Sequence, residues 1–272
     1  MAVVSAYLTP HPPLIFPEIG RGEELKIQAT IDACRRVGAE IAAGAPDTVV
    51  IASPHSVLYA SYFHIAPGRA GSGDMARFHA ANVKLETAYD TEFVEALCGR
   101  ADDIGFPAGT GGEQSAALDH AVMIPLRFIF DGYAAAGKKP DFKTVRLSVS
   151  GLSLQNHAQY GRMIAETAAA LGKKTIFIAS GDLSHRLKPD GPYGFAAEGP
   201  QFDAAITDSI RRGAPGETLA LDRSLCEKAA ECGLRPLAIM AGIFDGAPAA
   251  GELYSYEGPF GVGYAVGKIG AA

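Results

Sequence analysis

Short, almost continuously apolar runs, each followed by a longer stretch of helical periodicity, constrain this chain more than any other feature. Thr48-Val-Val-Ile-Ala-Ser53 and Lys174-Thr-Ile-Phe-Ile-Ala-Ser180 leave almost nothing polar to face solvent, the pattern of parallel strands covered on both faces. Val3 to Leu8 and Lys143 to Ser150 also read as strands. Glu23 to Ala43 repeats apolar residues at helical spacing and stops before Gly44 and Pro46, as a helix should. Thr91 to Ile104, Gln155 to Leu171, Pro200 to Arg212 and Leu225 to Phe244 read as further helices. Another begins near His120, with Asp119 placed to cap it and Pro125 in its early turns. This rhythm predicts an α/β fold: a layered, mostly parallel or mixed central β-sheet flanked by helices. Leu253 to Ile269 mixes Gly with Tyr, Phe and Val and reads as a closing hairpin at one sheet edge. Tyr62 to Val83 has weak periodicity and reads as a lid or a pair of short strands.

No composition break, linker or fixed repeat divides the 272 residues, so one domain over 1–272 is expected. Thirty acidic against 24 basic side chains give a formal charge of −6, which lacks the footprint of nucleic-acid binding. Neither a basic leader nor an apolar run of the roughly 18 residues a membrane helix needs is present. The four cysteines, Cys34, Cys98, Cys226 and Cys232, form no CxxC pair, so a cytoplasmic protein without a disulfide scaffold or structural zinc is expected.

Three of the seven histidines, His11, His55 and His185, fall a few residues past the end of a strand. In an open parallel sheet the carboxyl ends share one edge, so such residues converge on the crevice where ligands bind. Pro10, Pro12 and Pro54 stiffen the backbone around His11 and His55, which suits ligands held at fixed geometry. A lone histidine at a strand end is more often a surface or hydrogen-bonding group; three in one crevice weigh more. His120 is a fourth candidate, equally readable as part of a capping segment, while His64, His79 and His157 read as ordinary residues.

Two imidazoles and one anionic ligand on an open face suit a non-haem iron(II) centre. The anion is either Glu231 or Cys232, in Ala230-Glu-Cys-Gly-Leu-Arg-Pro236, with Glu252 and Glu257 as fallbacks. Spacing does not choose among them. Asp182 reads more readily as a turn residue than as a group orienting His185. Ser150-Gly-Leu-Ser153 is not a nucleophile elbow. Gly261-Val-Gly263 and Gly109-Thr-Gly-Gly112 lack the context of nucleotide loops, although Gly109 to Gln114 has the glycines to move over a site beside His120.

Pro10-His-Pro-Pro13, Ser53-Pro-His55, Leu118-Asp-His120, Ser180-Gly-Asp-Leu-Ser-His185 and Glu231-Cys-Gly-Leu-Arg235 together resemble the class III extradiol ring-cleaving dioxygenases, specifically their catalytic B subunit. Ile27-Gln-Ala-Thr-Ile-Asp32 and Ser255-Tyr-Glu-Gly-Pro-Phe-Gly-Val-Gly263 most resemble the branch associated with the AmmeMemoRadiSam system, related to the Memo proteins. The resemblance implies iron(II), with zinc or copper as alternatives, held by His11, His55 and either Glu231 or Cys232. It implies His185 as the acid-base group and His120 as a pocket residue, acting on a small aromatic diol with dioxygen. A homodimer is implied, as is a second possibility: a metal-binding accessory protein without ring-cleaving activity, working with a radical-SAM partner. Ring-cleaving relatives place a Glu in the 231–232 region and Memo proteins a Cys, and this sequence offers both.

Overall fold

Alternate residues of the central strands face opposite ways, and each set is buried. In Thr48–Ser53, Val49 and Ile51 join one apolar cluster while Val50 and Ala52 join another. Ile176 and Ile178 divide from Phe177 and Ala179 in the same way. This period-two division of an all-apolar run makes a sheet buried on both faces, and the computed structural model, which describes residues 2–271, has that architecture.

In chain order the strands are β1 (Val3–Thr9), β2 (Thr48–Ser53), β3 (Phe63–His64), β4 (Ala70–Met75), β5 (Ala80–Ala88), β6 (Ala108–Gly109), β7 (Lys143–Ser148), β8 (Thr175–Ser180), β9 (Ala249–Glu257) and β10 (Tyr264–Ala271). The helices are α1 (Pro17–Gly20), α2 (Gln28–Gly44), α3 (Thr91–Asp103), α4 (His120–Ala135), α5 (Leu154–Leu171), α6 (Glu198–Arg211), α7 (Arg223–Ala229) and α8 (Leu234–Ile243). The main sheet has the order β7-β2-β8-β1-β10-β9. Its first four strands are parallel, and β10 and β9 complete it as an antiparallel hairpin. Helices α2 and α4 cover one face; α3, α5, α6 and α8 cover the other. Among the described residues no helix is long and apolar enough to cross a membrane.

Two local readings change, and a third settles on one of its alternatives, the pair of strands. Glu23 to Ala43 is divided, residues Glu23–Ile27 forming a 3-10 turn before α2 begins. Tyr62 to Val83 contributes to an antiparallel hairpin, β4–β5, whose tip turns through Ala76–Phe78. Leu225 to Phe244 is two helices rather than one. Ala230 ends α7 in a left-handed conformation, φ 55°, and Gly233 lies so close to Gly181 that a side chain on Gly181 would overlap its Cα. An uninterrupted helix would need right-handed backbone at 230.

Close approach also governs helix packing. On α5 and α8, a methyl group at Gly161 would meet the Ile239 carbonyl and one at Gly242 the Ala158 carbonyl, so the two backbones touch. Gly242→Ala is expected to force them apart and destabilise the protein by about 1–3 kcal/mol, the usual cost of overpacking a close contact; urea unfolding would measure it.

Candidate metal centre

The parallel register aligns Thr9 with Ser180 and Ser53 with Ser148, so β1, β2, β7 and β8 end at one edge. β8 lies between β1 and β2. The chain leaves β1 towards α2 on one face and β8 towards α6 on the other, which opens a crevice between adjacent strands. A cavity of about 550 Å³ lies there, lined among others by His11, His55, His120, His185, Asp182 and Arg77.

Asp119 builds one wall. Its carboxylate accepts the Ala121 and Val122 amides at the start of α4, at 2.9 and 3.2 Å. It also accepts the Ser53 hydroxyl at 2.7 Å and the Ser56 hydroxyl at 2.6 Å. One carboxylate therefore caps α4 and ties it to the loop after β2, and the His55 and His120 rings stack at 4.5 Å. His11, buried at the end of β1, stands edge-on to both, its ring centre 4.8 Å from that of His55 and 5.4 Å from that of His120.

The Nε2 atoms of His11 and His55 are 3.1 Å apart. Two nitrogens bound to one first-row ion at about 2.0–2.1 Å stand roughly 3–3.4 Å apart, so this spacing fits a shared metal. One ring nitrogen from each of His11, His55 and His120 falls within 4.8 Å of the others. Burial pulls the basicity of all three imidazoles down, that of His120 to about 4. After burial, mutual repulsion lowers His11 and His120 further. For His55 the nearby Asp119 charge opposes the fall and Arg77 adds to it. Such rings are uncharged near neutral pH and available as ligands.

Cys232 and Glu231 part company. The Cys232 sulfur lies 3.6 Å from His11 Nε2 and accepts the Asp182 amide at 3.3 Å. With His11 and Asp182 it forms a second set of potential donors, although burial, with the Asp182 charge next, pushes its thiol well above the usual value. Glu231, by contrast, turns away: its carboxylate accepts the Leu234 amide at 2.6 Å, at the start of α8. It lines a separate cavity of about 540 Å³ with Leu152, Leu154, Cys226 and Arg235, and burial raises its carboxyl to about 7. The cause is the break at Ala230, which places neighbouring residues on opposite sides of a short connection. The fallback carboxylates lie elsewhere, Glu252 paired with Arg36 and Glu257 with the Thr30 amide and hydroxyl.

His185 lines the cavity and stacks on Tyr193 at 5.1 Å. Burial, then the His55 charge, pulls its imidazole below its usual value. Asp182 accepts the His11 amide at 2.8 Å; the carboxylate thus fixes the backbone of His11 instead of orienting His185. Burial raises Asp182 to about 7 against the opposing pull of that hydrogen bond. His64 and His157 make backbone hydrogen bonds away from the cluster. Gly109 to Gln114 folds against Tyr59 and Tyr62 and does not line the cavity. The hairpin tip does: Asp74, Arg77 and Phe78 reach it, with Phe78 edge-on to His120 at 5.2 Å. Arg77 makes no ion pair or side-chain hydrogen bond among the described residues and brings a positive charge to a lining that also holds Asp74. Only its place beside an aromatic residue in a Gly-rich stretch marked it in the sequence.

An α/β sheet with an imidazole cluster at its carboxyl edge is the class of protein defined by this geometry. The chain belongs to the LigB family: residues 5–267 match the catalytic LigB subunit of aromatic ring-opening dioxygenase. Protein CA_C1420 of Clostridium acetobutylicum is 34% identical over 278 residues, which cover all of this chain and 58% of that protein. The chain therefore spans little more than half of that curated relative. An uncharacterized protein of Escherichia coli K12, JW3007, shares the fold, with a TM-score of 0.57 at 17% identity, over 98% of this chain and all of that one.

Proposed function

We propose that the protein is an iron(II)-dependent extradiol-type dioxygenase that opens the ring of a small aromatic diol. The observation that carries this reading is the 3.1 Å approach of His11 Nε2 and His55 Nε2, beside His120, in the crevice of a LigB-family sheet. Both oxygen atoms of dioxygen enter the ring-opened product, so no further reductant is required. A bound iron(II) would supply the redox chemistry that brings diol and dioxygen to one centre.

The chain's own residues would do the rest. His11 and His55 hold the ion. His185, uncharged at neutral pH, accepts a proton from a diol hydroxyl and returns it after ring opening. His120 hydrogen-bonds the bound substrate, while Phe78, Leu118 and Val262 cover the ring with apolar surface. Arg77 favours the anionic form of the diol.

A second reading is supported by the turned-away Glu231 and the nearness of the Cys232 sulfur to His11. Imidazole with thiolate suits zinc or copper, which fits a metal-binding accessory protein acting with a radical-SAM partner. Anaerobic iron(II) loading followed by oxygen uptake over a catechol panel separates the two. The dioxygenase reading expects uptake and a yellow ring-fission product from the wild type and none from His55→Ala. Metal binding without turnover would favour the accessory protein.

A further inference from the structure

We propose that Ser180 is a positioning residue of this centre: its oxygen accepts the Nδ1–H of His11 and so fixes Nε2 as the ligand atom. The inference rests on the metal-centre reading above and begins in α4. Pro125 has no N–H, so the carbonyl four residues earlier, that of Ala121, lacks the helical donor it would otherwise take. The Ser180 hydroxyl, fully buried at the end of β8, donates to that carbonyl at 2.6 Å.

A serine has one hydroxyl proton, and the carbonyl can only accept. With that proton committed to Ala121, Ser180 Oγ meets His11 Nδ1 at 3.1 Å as an acceptor. Nδ1 must therefore carry the ring hydrogen, which leaves the lone pair on Nε2. That is the atom 3.1 Å from His55 Nε2 and 3.6 Å from the Cys232 sulfur. A proline inside a helix thus has a use at the site: it leaves a carbonyl open, the carbonyl turns the serine, and the serine selects the tautomer. The same hydroxyl ties the first turn of α4, which carries His120, to the strand beside His11, and so sets the spacing of the two imidazoles. Outer hydrogen bonds of this kind orient ligating histidines and raise their affinity for metal.

The test uses the full chain labelled with 15N-histidine. Ring-nitrogen NMR of the wild type without added metal is expected to show His11 protonated at Nδ1, and Ser180→Ala a mixture of both tautomers. Competition against a chromophoric chelator, with cobalt(II) as the probe, is expected to show about 10–100-fold weaker binding in Ser180→Ala, with an altered visible spectrum. Pro125→Ala restores a helical donor to compete for the Ala121 carbonyl and is expected to shift the tautomers the same way. Ser209→Ala removes another buried hydroxyl, one bonded to Ala214 in the segment after α6, and controls for lost stability; its cobalt affinity should match the wild type. Tautomer and affinity both retained in Ser180→Ala, with affinity within twofold, would overturn the proposal. A wild type that binds no cobalt would instead overturn the metal-centre reading, while the metal-free tautomer still tests the serine.

Discussion

His55→Ala is expected to bind iron(II) or zinc at least about 10³-fold more weakly than the wild type, well beyond the 10–100-fold that loss of an outer hydrogen bond costs. His55 and His11 hold their Nε2 atoms 3.1 Å apart, and Glu231 bonds instead to the Leu234 amide at the start of α8. Thermal unfolding gives a direct readout. A metal held at 1,000 times its dissociation constant adds about 4 kcal/mol to a folded state that alone binds it, so the wild-type Tm should rise with added metal and that of His55→Ala should not. Two further variants divide the remaining donors: Glu231→Gln is expected to leave affinity unchanged, and Cys232→Ser to weaken it.

The pH dependence carries the same argument. Metal binds the uncharged imidazole, so affinity falls as pH drops through each ring's own pKa. Two ordinary histidines near 6.5 would lose roughly tenfold in binding between pH 7 and 6. Burial has lowered His11 and His55 below that value, so in Cys232→Ser, where no thiol proton is released on binding, the loss over this interval should be smaller than roughly tenfold. A full tenfold fall in that variant would show that the rings titrate as though exposed.

Much of this site was legible because its cause is local. An all-apolar run such as Thr48–Ser53 can be satisfied only by cover on both faces, and parallel strands then carry whatever follows them to a common edge. His11, His55 and His185 follow such runs. Glu231 and Cys232 could not be told apart because the deciding event is a left-handed alanine, at a position where no glycine marks a turn. Arg77 and Phe78 lie at the tip of a hairpin whose first strand, Ala70–Met75, is rich in small residues and has little alternation to read. Asp182 looked like a turn residue because its partner, the His11 amide, lies 171 residues away. The role of Ser180 depends on a proline in another element, and no spacing rule connects residues 125 and 180.

The far end of the sheet holds the largest expected effect on stability. Asp90 is 1% exposed, and its carboxylate accepts the Thr48 hydroxyl at 2.6 Å, the Phe93 amide at 3.1 Å and the Lys173 ammonium at 2.7 Å. It thereby joins the first residue of β2, the start of α3 and the segment between α5 and β8. Alanine would uncap α3 and strand the Lys173 charge, 18% exposed, with only the exposed Glu92 as its partner. Breaking a buried pair by removing one partner costs about 3–5 kcal/mol, a large share of the 5–15 kcal/mol that holds a typical protein folded. Burial alone would raise the Asp90 carboxyl, but the hydrogen bonds from Lys173, Thr48 and Phe93 outweigh it and hold the group below its usual value of 3.8. A depressed carboxyl contributes fully above its unfolded pKa, and the contribution is lost as pH falls through the folded one. The difference in urea stability between wild type and Asp90→Ala should therefore be flat from pH 7 to 5 and narrow only below about 4. β2 separates Asp90 from His55 by roughly 20 Å, so folded Asp90→Ala should bind metal as the wild type does. A variant that lost metal affinity and stability together would mean that the two ends of the sheet are coupled, and would contradict the division of labour between its amino and carboxyl edges.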